Sequence, residues 1–113
     1  MKIIIDDVDA EEIIKVIKLR LKLTEPLSDE FIRESLHNIK VFDNKQADYG
    51  SRNISQFGFM GCIIRMSDKF ERIKNLLGVK RKRAINESVM DNLDDIGVYT
   101  IIAKLCHKGK WPK

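Results

Sequence analysis

Proline occurs twice and glycine six times in 113 residues. That scarcity excludes collagen-like repeats, proline-rich segments and glycine-rich flexible tracts. Cysteine also occurs only twice, at Cys62 and Cys106. Two isolated cysteines make neither a disulfide framework nor a zinc site, and each lies in an apolar stretch that reads as core. Both are expected to be inert thiols. No window reaches the roughly 18 uncharged apolar residues of a membrane span. The apolar run of Met1–Ile5 is too short for a signal-peptide core, and Asp6, Asp7 and Asp9 follow where a cleavage site would stand. The expected location is therefore the cytosol, away from membranes. Also missing are a Walker phosphate loop, a G-x-G-x-x-G turn, an H-E-x-x-H metal motif and a nucleophile elbow.

What is present is an ordinary globular balance, 43% apolar and 34% charged residues. The length suits one helical domain over residues 1–113. Lysine and arginine outnumber acids 21 to 17, for a formal charge of +4. The excess gathers in the block Lys80, Arg81, Lys82 and Arg83 and in a basic tail over residues 104–113 that holds Lys104, His107, Lys108, Lys110 and Lys113. Such a balance permits nucleic-acid or nucleotide binding without requiring it. The block is a candidate protein or nucleic-acid contact, although a solvated linker has the same composition.

Hydrophobic spacing predicts an all-α fold, a compact bundle of about four helices with a short extended arm at residues 2–5. The first helix is expected over 10–23, capped by Asp9 with Glu12 three residues on. Ser28 caps a second, which carries Phe31, Ile32, Leu36, Ile39 and Phe42 on one side and fades near Lys45. Gln46–Asn53 shows no apolar period and reads as a loop. The third helix should run from Phe57 to Leu77, packed through Phe59, Ile63, Met66, Phe70, Ile73 and Leu77, with Gly78 as its stop. The fourth is expected from Asn86 to Leu105, with one face of Val89, Leu93, Ile96, Thr100 and Ala103 and another of Val98, Ile101, Ile102 and Leu105. A helix apolar on several sides is central or shared with another subunit, which points to a homo-oligomer.

The chemistry-bearing residues fall on the last two helices. Glu87, Asp91, Asp95 and Tyr99 recur every four residues, and Asp94 adjoins them. Like charges at that spacing repel unless a cation or basic partner compensates. Hard carboxylate oxygens on one face suit Mg²⁺ or Mn²⁺. On the third helix, Arg65, Asp68, Lys69 and Arg72 share a face, with Glu71 beside them. Packed antiparallel, the two stripes admit two accounts. One is structural ion pairing of Arg65, Lys69 and Arg72 with Asp91 and Asp95. The other is a site where the basic residues hold phosphate oxygens beside the carboxylates. Asp48, Tyr49 and Asn53 offer an acid, an aromatic ring and an amide, groups that hold a base by stacking and hydrogen bonding. A plain turn between helices has the same residues.

Three ordered runs make the sequence familiar: Lys45–Gly50, Arg65–Leu76, and Glu87–Asp91 followed by Leu93, Asp95, Tyr99, Ile101, Ile102 and Ala103. Over about residues 40–105 the chain resembles the nucleotide modification associated domain 1 family, small all-α proteins common in bacteriophages and prophages. That family is similar, distantly, to the MazG and dimeric dUTPase group of nucleotide pyrophosphohydrolases. The resemblance implies a phage-encoded nucleotide-binding protein in a bacterial cytosol. Arg65, Lys69 and Arg72 would contact phosphates, with Asp48, Tyr49 and Asn53 near base or sugar. It implies Mg²⁺, or Mn²⁺, held by Asp68, Glu71, Glu87, Asp91 and Asp95. In the alternative hydrolytic reading, Glu87 or Asp91 would activate water to split a nucleoside triphosphate into monophosphate and pyrophosphate. The enzymes' signature pairs glutamates three apart on one helix. Asp68 and Glu71 replace that pair here, which ranks binding above hydrolysis. A purely structural or partner-binding helical protein is the third reading.

Overall fold

A computed structural model describes the backbone of residues 7–78 and 89–112, with side chains from Asp9 onward. The expected arm at residues 2–5, the basic block Lys80–Arg83, the Asn86 cap and Glu87 lie outside the described residues. The regular structure that is described is entirely helical, with no strand. The helices are α1 (Asp7–Leu21), α2 (Ser28–Tyr49), α3 (Arg52–Ser55), α4 (Gly58–Gly78) and α5 (Met90–His107). The all-α class is as expected, with the four-residue α3 in addition to the four long helices. Contacts divide the chain into two compact units, Met1–Asn44 and Lys45–Lys113, with the boundary inside α2.

In the first unit, α1 already includes Asp9, so that residue is not its N-cap. Ala10 and Ile14 are buried on α1, and Ile32 is buried on α2. Lys18 reaches Asp29 at 2.7 Å. Arg33 bonds Glu11 and approaches Glu30 at 3.5 Å. These are partly exposed pairs, each worth a fraction of a kcal/mol. The expected α2 face is only partly covered, because Phe31 and Ile39 are 76% and 58% exposed.

The end of α1 shows a local conflict. The Leu23 N–H donates to the Lys18 carbonyl at 3.0 Å, and the Lys22 N–H to the Leu19 carbonyl at 3.4 Å. This is the paired closing pattern of a Schellman turn, which puts the next residue in the left-handed region. Glycine normally stands there, but here it is Lys22, with φ 56°. A Cβ in that conformation is strained. The variant Lys22→Gly should raise stability by about 0.5–1 kcal/mol. Urea melts of the two chains check this, and an unchanged or lowered midpoint would refute it.

α2 continues through Gln46, Ala47, Asp48 and Tyr49, which corrects the loop expected there. The terminator is Gly50. Its φ is +70°, and its N–H donates to the Gln46 carbonyl at 2.8 Å, closing the helix in the left-handed manner glycine favours. Lys45, Gln46 and Ala47 are good helix formers. An exposed helical turn needs no apolar period, so the missing period was no sign of a loop.

In the second unit α4 packs on α5, and α3 on α4. The pairing is antiparallel: Arg65 meets Tyr99, Lys69 meets Asp95 and Phe59 meets His107. Ile73, Val89 and Ile96 form a buried cluster, with Met66 and Leu76 packed against it. Cys62, Ile54, Val98, Ile102 and Ala103 are also buried. The face α4 uses differs from the expected one. It runs Cys62, Met66, Lys69, Ile73 and Leu76, while Phe59, Ile63, Phe70 and Leu77 are 41%, 39%, 50% and 52% exposed. Both stripes have steps of four and three and share Met66 and Ile73, so periodicity ranks them equally. The observed rotation places Lys69 and Arg65 opposite Asp95 and Tyr99, satisfying polar groups that would otherwise be half-buried without partners. In the tail, the Trp111 indole N–H donates to the Ser51 carbonyl at 3.1 Å. This ties the chain end to the turn between α2 and α3. No described helix is long and apolar enough to cross a membrane.

Candidate functional site

The densest polar constellation in the second unit centres on Asp95. Its side chain is 16% exposed and faces two lysines from different helices. Lys45, near the end of α2, donates to one carboxylate oxygen at 2.8 Å. Lys69 on α4 approaches the other at 2.9 Å. One turn further along α5, the Tyr99 hydroxyl accepts a bond from Arg65 at 3.0 Å. The Arg65 guanidinium also sits 4.6 Å from the centre of the Phe57 ring, within cation–π range. Gly61 makes this stack possible: a Cβ built there would lie 2.0 Å from the Phe57 Cβ. With only a hydrogen in the way, Phe57 folds back along α4 and its ring lies under Arg65.

The electrostatics follow from partial burial. Burial works to raise the Asp95 carboxyl, but the hydrogen bonds and charges of Lys45 and Lys69 outweigh it and hold the group below the usual carboxylate range. Burial likewise works to lower the Lys45 ammonium, but the bond to Asp95 and its charge, with smaller contributions from Tyr99 and Tyr49, hold it above its ordinary value. Two cations thus stand against one carboxylate, with Arg65 a turn away on Tyr99. Lys45 keeps half of its side chain in solvent. Chemically the arrangement offers ammonium and guanidinium donors to an anion, with aromatic rings nearby.

The sequence expectations divide. Arg65, Lys69 and Asp95 come together. Tyr49 is 69% exposed at the end of α2, four residues from Lys45 and so on the same side of the helix. Asp48, on that last turn, is exposed. Asn53 lies on α3, and its side-chain oxygen is buried without a hydrogen-bond partner among the described residues. Arg72 is exposed on α4. Asp68 is exposed, and its register sets it away from the α4 stripe packed on α5. Glu71 pairs with Lys74 at 2.9 Å in the open. Asp91 is exposed on α5. Among the described residues no three histidine, cysteine, aspartate or glutamate side chains gather in a way that could hold a metal ion. Asp68, Glu71, Asp91 and Asp95 do not converge there, and Glu87 lies outside the described residues.

Lys45, Phe57 and Tyr99 are site residues that the sequence reading did not assign. The signal for Lys45 was its spacing to Tyr49, visible only once α2 is carried to Gly50. The Phe57–Gly61–Arg65 spacing of four and four was the signal for the stack. The chain matches no family model, no curated protein and no solved structure.

Proposed function

We propose that this chain binds a nucleotide without hydrolysing it. Lys45, Lys69 and Arg65 meet the phosphates, and Tyr49 and Asn53 supply stacking and hydrogen bonding to base or sugar. The observation that carries the reading is the convergence of two lysines on the two oxygens of Asp95, with Arg65 one turn away. One carboxylate leaves this cluster with a surplus of positive charge. A ligand phosphate accepts from Lys45, Lys69 and Arg65, competing with Asp95 for the two ammoniums. Binding is favoured over hydrolysis because Asp68, Glu71 and Asp91 point to solvent rather than gathering around Asp95.

Calorimetry with a panel of mono-, tri- and cyclic nucleotides, with and without Mg²⁺, tests the reading. Each mixture is then assayed for pyrophosphate and monophosphate. The expected result is saturable binding of at least one nucleotide, recovered unchanged, weakened at least tenfold in Lys69→Met. Release of pyrophosphate would replace this reading with the hydrolytic one. No binding across the panel would leave the cluster as a structural ion-pair network.

A further inference from the structure

The two cysteines are separated by 44 positions, and the antiparallel packing of α4 on α5 brings them near one another. Arg65 with Tyr99, Lys69 with Asp95 and Phe59 with His107 fix the register. That register sets Cys62, on the buried side of α4, opposite residues 102–104, and Cys106 lies within about one turn of that position near the end of α5. The side chains are close enough to hydrogen-bond to one another. Both are free, and the chain has no third cysteine to compete. Cys62 is fully buried, whereas Cys106 is partly open to solvent.

We propose that Cys62 and Cys106 are an oxidation site, a dithiol that a hydroperoxide converts to an intramolecular disulfide joining α4 to α5. The order of events follows from access. Burial, the Cys106 neighbour and the hydrogen bond to it push the Cys62 thiol up to about 11, so it is neither ionised nor reachable at neutral pH. Cys106 therefore reacts first. Its sulfur attacks the terminal oxygen of the hydroperoxide, and the thiol proton passes to the outgoing oxygen. An S–O bond forms, the O–O bond breaks, and the outgoing oxygen leaves as an alcohol, or as water from hydrogen peroxide. The Cys62 sulfur then attacks the Cys106 sulfenic sulfur. The S–S bond forms as the S–O bond breaks, and the departing hydroxide takes the Cys62 proton to leave as water. The two thiols together lose two electrons and the peroxide gains them.

Because Arg65–Tyr99 and Lys69–Asp95 span the same two helices, the cross-link fixes the spacing of the candidate phosphate-binding residues. The inference itself rests only on the two thiols and stands whether or not a nucleotide binds.

The test is titration of the folded full-length chain with hydrogen peroxide, followed by alkylation under denaturing conditions and intact-mass analysis. The expected product is a monomeric chain about 2 Da lighter that takes up no alkylating group. Reduction should restore two alkylation sites, and the melting midpoint should be raised by several degrees while oxidised. Cys62→Ala should instead stop at sulfenic or higher acids on Cys106. The proposal is overturned by oxygen adducts on Cys106 with Cys62 still alkylatable. A cross-linked dimer on a non-reducing gel, or two free thiols after a dose that oxidises an unfolded control, overturns it equally. Mapping the cross-linked peptide in the unmodified sequence keeps the test decisive even if Cys62→Ala folds poorly.

Discussion

Replacing Asp95 with asparagine is expected to lower stability by about 2 kcal/mol at neutral pH, near 10 °C in melting midpoint for a chain of this size. Asparagine keeps the volume of the side chain and removes its charge. Lys45 and Lys69, at 2.8 and 2.9 Å from the two carboxylate oxygens, would then face each other across a neutral amide. A fully buried pair broken this way costs about 3–5 kcal/mol. The loss here is smaller because Lys45, half exposed, can turn to water. The dependence on pH follows from the two opposite shifts. Asp95 is held below its unfolded value, so its contribution is complete above that value, about 3.9, and is lost as pH falls through the folded one. Lys45 is held above its unfolded value, so its contribution is complete below about 10.4 and is lost as pH rises through the folded one. The gap between parent and variant should thus be flat across neutral pH and close in strong acid. Equal melting points at pH 7 would show that the cluster carries no net stability. The same variant separates structural from ligand-binding roles. If phosphate is the natural occupant, freeing both ammoniums should tighten nucleotide binding several-fold even as the fold weakens. If the cluster only pairs charges, stability falls and no affinity appears.

How far the sequence carried can be judged on particular elements. The start of α4 was legible to within a residue, because a strong apolar period opens there. The end of α2 was not, because helix propagation there depends on Lys45, Gln46 and Ala47 and on the left-handed Gly50 rather than on a buried face. The packed face of α4 was not legible either. Two stripes of equal period overlap on it, and the choice between them depends on which polar groups α5 presents. For the site, Arg65, Lys69 and Asp95 were visible as facing stripes, because helical spacing and opposite charge suffice to pair them. Lys45 comes from a third helix, and no local period reports such a partner. The acidic stripe divided for a physical reason. Asp91 and Asp95, four residues apart, differ in that, among the described residues, Asp95 faces two lysines in the partly covered seam while Asp91 is exposed. The thiol pair shows the same limit, since the register of two packed helices is a tertiary fact.

The face of α5 gives the second large effect. Ile96 is 8% exposed and sits in the cluster with Ile73 and Val89. Ile101, five residues on and therefore on another side, is 56% exposed. Ile96→Ala should cost about 3 kcal/mol, the transfer of the lost methyl groups plus the cavity they leave beside Met66 and Leu76. Ile101→Ala should fall within about 0.5 kcal/mol of the parent, since alanine's better helix propensity offsets the little burial lost. Urea melts at one fixed, low protein concentration make the comparison. Equal losses at the two sites would mean that α5 is not oriented as described. Repeating the melts at a hundredfold higher concentration turns the same pair into a test of self-association. A face of Ile101, Leu93 and Met90 that another copy covers would make Ile101→Ala costly only when the chain is concentrated, because coupling to assembly adds to stability by mass action. Ile96 is already covered within its own chain, so its cost should stay nearly the same at both concentrations.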